Sequence, residues 1–222
     1  VTEQYRRFIS EGKTERECAQ LTVEMAKEHG YISLEEAVAS GRQLKAGDKI
    51  YAVHKKKLVV LFEIGTEPME KGMNILGAHI DSPRLDLKQN PLYEDTDMAL
   101  LDTHYYGGVK KYQWVTLPLA MHGVIAKKDG SVVTINIGEK PEDPVFGVSD
   151  LLIHLSADQL EKKAAKVIEG EALDILVGSM PLEAKTEEEK KTKELVQANV
   201  LKILKDAYGV EAVSYTHLRA HE

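Results

Sequence analysis

The sequence contains one cysteine, Cys18, among its 222 residues. A single thiol excludes an internal disulfide framework, and it also excludes the paired Cys spacings of structural zinc modules. Any zinc site must therefore be built from His and carboxylate side chains. The sequence has no apolar run near the roughly 18 residues of a membrane span and no signal-peptide pattern, so we predict a cytoplasmic protein without a membrane partner.

The sequence also has fewer basic than acidic residues. Lys and Arg number 29 against 36 Asp and Glu, which gives a formal net charge of −7. Such a surface would repel a nucleic-acid backbone or an anionic membrane, so neither is expected as a partner. An apolar content of 43% is ordinary for a globular protein and is sufficient for the core of one large domain or two small ones.

The N-terminal third contains clear start and stop signals. Thr14-Glu-Arg-Glu17 is a capping-box pattern, which predicts a helix from about Glu15 to Gly30. Ser33 predicts the start of a second, short helix that ends at Gly41. The runs 49–53 and 58–64 predict the two strands of a hairpin that turns at three lysines.

The next stretch combines a buried-strand pattern with a possible metal ligand. Met73–Ala78 is an apolar run between Gly72 and Pro83, which is typical of a strand covered on both faces. His79 follows at the carboxyl end, where α/β sheets bind their ligands. Asp81 shares its face if the strand continues, and its carboxylate could fix the imidazole tautomer for a metal. The pair also fits an ordinary surface contact, and spacing alone does not decide between the two readings.

The remaining chain predicts further strands and two long helices. Residues 84–88 predict an edge strand closed by Asn90-Pro91, and a long irregular connection then runs to Gly108. Residues 115–125 and 132–137 predict a hairpin with Asp129-Gly130 as its turn. Leucine spacing predicts a helix over 149–168, and a Thr186–Glu189 cap with Gly209 as stop predicts another over 186–208.

Several of these stretches resemble one enzyme family. Gly77-Ala-His-Ile-Asp-Ser-Pro83, followed by Leu85-x-Leu87-Lys88, is similar to the first metal-ligand motif of the M18 family of zinc aminopeptidases, the aspartyl-aminopeptidase group. The resemblance covers most of residues 20–208. It is carried further by the stretches Gly30–Glu36, Gly47–Tyr51, Leu61–Gly65, Tyr106–Gly108, Trp114 and Leu152–Leu155.

The resemblance implies an α/β fold made of two parts. Residues 1–118 would form the N-terminal part of the zinc-peptidase domain, and residues 119–213 an incomplete, β-rich inserted dimerisation domain. The tail 214–222 has no counterpart in the family and is expected to be non-native, so His217 and His221 should carry no function. The start at Val1 without a methionine predicts an N-terminally incomplete sequence or, as the less favoured alternative, a processed start.

The resemblance also implies an activity. M18 enzymes release N-terminal amino acids from peptides with two zinc ions per subunit, and they form homo-oligomers. His79 would be the first metal ligand and Asp81 its catalytic companion, whereas the other ligands and the general base would lie beyond residue 222. His104, close to the family's active site, is a second-rank candidate for a site residue. Arg84 is a possible charge partner for an acidic N-terminal residue of the substrate. The preferred N-terminal residue stays open.

A second hypothesis treats the chain as a non-catalytic oligomerisation or assembly module. One imidazole is too few ligands for a catalytic zinc ion, which usually has three from the protein. We therefore expect the 222-residue polypeptide to be inactive and to lack a tight zinc site. Without neighbours for the central strand, the apolar side chains of Ile75, Leu76 and Ala78 should be exposed.

Overall fold

The computed structural model describes residues 1–186 and 189–210, which divide into two compact units, Val1–Ser82 and the chain from Pro83 onward. The α-helices of the described residues are α1 (Thr2–Glu11), α2 (Glu15–Glu28), α3 (Leu34–Ala39), α4 (Lys111–Trp114), α5 (Ala157–Leu160) and α6 (Leu195–Tyr208). Their strands are β1 (Ile32–Ser33), β2 (Lys49–His54), β3 (Leu58–Glu63), β4 (Arg84–Asp95), β5 (Met98–Tyr106), β6 (Met121–Ala126), β7 (Val132–Ile137), β8 (Gly147–Val148) and β9 (Ile175–Gly178). No helix in this part of the chain is long and apolar enough to cross a membrane.

Helix α2 of the first unit begins at the predicted capping box. The Thr14 hydroxyl accepts a hydrogen bond from the Glu17 backbone N–H at 3.2 Å, and the Glu17 carboxylate accepts one from the Thr14 N–H at 2.9 Å. These two bonds satisfy donors that a helix start otherwise leaves open. The helix buries Cys18, Ala19 and Ala26, and burial raises the pKa of the Cys18 thiol.

Replacing Thr14 by alanine should lower the free energy of unfolding of the first unit by about 1 kcal/mol, because the Glu17 N–H loses its acceptor. Thr14→Ser keeps the hydroxyl and should stay within about 0.5 kcal/mol of the wild type. Urea denaturation followed by the helical circular-dichroism signal measures both variants. Equal stability of Thr14→Ala and the wild type would show that the cap contributes nothing.

The first unit also contains the predicted hairpin. Strands β2 and β3 pair antiparallel with Ile50 opposite Phe62, and β1 joins β2 in parallel. The three lysines 55–57 connect His54 to its cross-strand partner Leu58, and Lys55 and Lys56 have φ 50° and 59°, in the left-handed region of the backbone. The predicted hairpin and its lysine turn are confirmed.

The predicted buried strand at Met73–Ala78 is wrong for this structure. The segment belongs to no strand or helix, and Ile75 and Leu76 are 79% and 99% exposed. A strand needs neighbours for its backbone groups, and no strand of the described residues pairs with this segment. The expected exposure of Ile75, Leu76 and Ala78 is confirmed.

The second unit contains a long hairpin where an edge strand and an irregular connection were predicted. Strand β4 runs through Asn90 and Pro91 to Asp95. Both residues lie where the pairing register of β4 with β5 shifts, between Leu87 and Leu92. Asn90 has φ 51°, a conformation that asparagine tolerates better than most residues. Strand β5 then returns along β4, so residues 98–106 are a strand and not a loop. Long-range pairing has overridden the local stop signal.

A four-stranded sheet of order β4-β5-β9-β8 organises this unit. One face of β4 supplies Leu85 and Leu87 to the core, as the two-residue period of a strand requires. The core cluster consists of Leu85, Leu87, Leu101, Trp114, Leu119, Phe146, Val148, Ile168, Leu173 and Ile175.

The predicted hairpin after Trp114 is confirmed, with a later start. Strands β6 and β7 pair antiparallel from Met121 opposite Ile137 to Ala126 opposite Val132. Gly130 in the turn has φ 84°, which explains the glycine there. Ile125 and Ile135 pack with Val210 in a second, small core.

The two long C-terminal helices are shorter than predicted. Residues 149–168 form short 3₁₀ turns and the four-residue α5, so the predicted continuous helix is wrong. Leu151, Leu152 and Leu155 are exposed, so these side chains do not pack against another element of the described unit. A helix with an apolar face is stabilised mainly by such packing. Helix α6 begins at Leu195 and ends at Gly209 with φ 61°, as predicted for its end. The Thr186–Glu189 cap instead starts a 3₁₀ turn over Glu189–Lys191, and residues 187–188 lie outside the described residues.

The described chain divides after Ser82, whereas the sequence placed a domain boundary at residue 118. The sheet that contains β4 and β5 also contains β8 and β9, so it includes strands from both sides of residue 118. Assignment of 119–213 to an inserted dimerisation domain stays a prediction. The tail 214–222 lies outside the described residues.

Candidate metal-binding site

His79 and Asp81 lie in the first unit, in the irregular segment that precedes Pro83. The imidazole Nδ1 of His79 is 3.0 Å from the backbone carbonyl oxygen of Asp81 and 3.1 Å from its Oδ1. Both partners are acceptors, so Nδ1 carries the hydrogen and donates it. In the neutral ring the lone pair is therefore on Nε2, the nitrogen that a metal ion can bind.

The His79 ring is open to an incoming ion. Its side chain is 85% exposed, and that of Asp81 is 37% exposed. A carboxylate behind a metal-binding histidine fixes the ring orientation and increases the ring's basicity. The contact that two-residue spacing predicts is present although the backbone is not a strand, and the metal-binding role of the pair stays a prediction.

The described residues do not complete a zinc site. A catalytic zinc ion usually takes three protein ligands, and His79 supplies one. Residues 1–186 and 189–210 contain no group of three His, Cys, Asp or Glu side chains that could hold a metal ion.

His104, the second-rank candidate, lies on strand β5 and belongs to a surface charge network. Its Nδ1 is 3.5 Å from Glu171 Oε1, and its ring stacks on Tyr105. Lys88 connects the network, with its Nζ 2.8 Å from Asp102 and 2.6 Å from Glu171. The hydrogen bond to Asp102, followed by the one to Glu171, raises the pKa of Lys88, and the same lysine lowers the pKa of Glu171.

This network is an ion-pair cluster and not a ligand set. Lys88 occupies the carboxylate oxygens that a cation would need, and the described residues show no metal-holding group here. His154 is exposed on a 3₁₀ turn over Ile153–Leu155. Neither histidine joins His79 in a described metal site.

One cluster near the motif in sequence was not predicted. Arg84 is buried and donates from Nε to Asp86 Oδ1 at 2.8 Å, and its guanidinium lies 3.9 Å from the centre of the Tyr106 ring. The sequence signal for Asp86 is its i+2 spacing from Arg84 on a strand. Tyr106 carried no local signal, because its contact depends on the register of β4 with β5.

Comparison with known proteins gives the family. Residues 8–218 match the profile described as Aminopeptidase I zinc metalloprotease (M18). The chain belongs to the M18 family. The family resemblance, the α/β fold and zinc as the family's metal are thereby confirmed.

Relatives and solved M18 structures agree with this result. Probable M18 family aminopeptidase 1 of Clostridium acetobutylicum is 58% identical over 208 residues, which are 94% of this chain and 44% of the relative. The crystal structure of an M18 aminopeptidase from Thermotoga maritima matches with a TM-score of 0.87 at 39% identity, over 99% of this chain and 46% of that one. Aminopeptidase I from Clostridium acetobutylicum matches with a TM-score of 0.84 at 51% identity, over 99% and 47%. The chain thus spans less than half the length of these M18 proteins.

Proposed function

We propose that this M18 protein, at the full length of its relatives (the full-length protein below), is a metalloaminopeptidase that releases N-terminal amino acids from peptides through a dinuclear zinc site. The observation that supports the proposal is the His79–Asp81 pair. Its Nδ1–H donates to two acceptors of Asp81, so the exposed ring offers the Nε2 lone pair. A histidine oriented in this way suits a metal ligand.

The proposal gives each residue of the pair one task. His79 would bind zinc through Nε2, and Asp81 would hold the ring in that tautomer without touching the metal. The remaining ligands and the general base would come from the part of the family's length that this chain does not span. Two bound zinc ions would polarise the scissile carbonyl and activate a water molecule.

Homo-oligomeric assembly in the cytoplasm is part of the same proposal. Leu151, Leu152 and Leu155 are 56%, 69% and 69% exposed in one short stretch of the second unit. Neighbouring apolar side chains of this kind are typical of a surface that another protein covers. The single cysteine and the acidic composition support a reducing compartment without a nucleic-acid or membrane partner.

Chelation tests the proposed activity. We expect the full-length protein to hydrolyse aminoacyl p-nitroanilides, to lose this activity in 1,10-phenanthroline, and to recover it when zinc is added back. The 222-residue chain is the matched control, and its single described ligand should retain no stoichiometric zinc after dialysis and give no turnover. Turnover of the full-length protein that survives complete zinc removal would refute the proposal.

The control also tests the alternative function, a non-catalytic assembly module. The lack of a described group of three ligands favours that function for the 222-residue polypeptide. Stoichiometric zinc and turnover in this polypeptide would contradict it.

A further inference from the structure

Arg84 is a charged side chain in a buried position at the start of strand β4. Only 5% of its side-chain surface is exposed. Its Nε donates to Asp86 Oδ1 at 2.8 Å, and its Cζ lies 3.9 Å from the centre of the Tyr106 ring. Burial of a guanidinium is costly unless its charge is paired, and here both a carboxylate and an aromatic face meet it.

The β4–β5 register places these three residues at one end of the hairpin. Arg84 and Asp86 are two residues apart, so their side chains leave the same face of β4. Tyr106, the last residue of β5, is the direct cross-strand partner of Arg84. The cluster therefore joins the first residue of one strand to the last residue of the other at the open end of the hairpin.

The backbone just outside this cluster is also closely packed. Gly107 has φ 78°, and a Cβ at that position would lie 3.3 Å from the Cα of Pro83. A side chain at 107 would meet both an unfavourable backbone conformation and a tight contact. The Arg84–Tyr106 stack thus sits beside a glycine–proline contact that depends on accurate placement of both strand ends.

We propose that Arg84 is a positioning residue for the aminopeptidase reaction and not a cation that recognises an acidic substrate. The inference rests on the proposed function, and on the position of Arg84 three residues after Asp81 in the sequence. Its charge is neutralised by Asp86 and its flat face is covered by Tyr106, which leaves it poorly suited to bind a substrate carboxylate. The same contacts suit it to hold the end of the hairpin that directly follows the metal motif in the chain.

Two substitutions of Arg84 separate the effect of its positive charge from the effect of its planar shape. Arg84→Lys keeps the positive charge but loses the planar group that stacks and bonds in a fork, whereas Arg84→Met loses both. Tyr106→Phe keeps the ring under Arg84, and Tyr106→Leu removes it. We would measure kcat and KM of the full-length proteins on an N-terminal glutamyl and an N-terminal leucyl p-nitroanilide, together with zinc content and folded fraction.

Arg84→Lys, Arg84→Met and Tyr106→Leu should each lower kcat about 10-fold or more for both substrates, because small misplacements of reacting groups are costly in rate. KM and the glutamyl-to-leucyl ratio should stay within about 2-fold of the wild type, and Tyr106→Phe should retain wild-type kcat. Lys49→Met is the matched control, since it removes another cation over a ring, that of Tyr31 at 5.6 Å, in the first unit. It should leave kcat unchanged.

Four results would overturn the inference. Arg84→Lys with wild-type kcat, combined with an Arg84→Met protein that loses only glutamyl hydrolysis, would show a recognition role. Activity that falls only in proportion to the folded fraction would show a role in stability alone. Wild-type turnover with unaffected Arg84 variants would refute this inference and leave the proposed function intact, whereas a full-length wild type without zinc or turnover would refute both.

Discussion

His79→Ala in the full-length protein should reduce aminopeptidase activity to the assay background and lower bound zinc. The ring is the one metal ligand proposed among the described residues, and Nε2 is its available nitrogen because Nδ1 donates to Asp81. Asp81→Asn should have a smaller effect, about 10- to 100-fold on activity or metal affinity, as is typical when a ligand's hydrogen-bonding partner is changed. Steady-state hydrolysis and zinc content per subunit, measured on the same preparations, test both variants.

His54→Ala provides the matched control for this experiment. His54 is also an exposed histidine of the first unit, at the end of strand β2, and no metal role is assigned to it. It should keep wild-type zinc and activity. Full activity and zinc in His79→Ala would remove the basis of the assigned site, and equal losses in His54→Ala would point to a general sensitivity of the fold.

Leu173→Ala should lower the free energy of unfolding of the second unit by about 2–5 kcal/mol. Leu173 is fully buried in the core cluster beside Ile175, and truncation would leave a cavity there. The backbone of Leu173 is also fixed in place, because its carbonyl accepts a hydrogen bond from the Thr103 hydroxyl at 2.6 Å. The surrounding structure can therefore relax little into the vacated space.

Leu160→Ala is the comparison for this substitution. Leu160 is 65% exposed, so its truncation should change stability by no more than about 0.5 kcal/mol. Thermal and urea unfolding of the 222-residue chain measure both variants. A Leu173→Ala protein as stable as Leu160→Ala would show that the sheet lacks the core described for it.

Local signals in the sequence predicted the elements that local interactions form. The Thr14–Glu17 cap gave the start of α2, and the turn residues gave the β2–β3 and β6–β7 hairpins. The prediction that Asn90-Pro91 ends the strand is wrong, because β4 continues to Asp95. The pairing of β4 with β5 spans the irregularity, and no local signal reports pairing between distant residues.

The candidate site shows the same division between near and distant residues. The contact of His79 with Asp81 follows from a spacing of two residues, and it forms even without the predicted strand. The Arg84–Tyr106 contact joins residues that are far apart in sequence and became visible only through the β4–β5 register. A metal site assembled from several distant segments is unpredictable from spacing for the same physical reason.

The direct test of His79 as a zinc ligand is an anomalous difference map at the zinc edge from crystals of the zinc-loaded, full-length protein. We predict a zinc peak about 2.0–2.1 Å from His79 Nε2, with Nδ1 still donating to Asp81. A fully occupied zinc site elsewhere in the protein, with no peak at the His79 ring, would contradict the assignment.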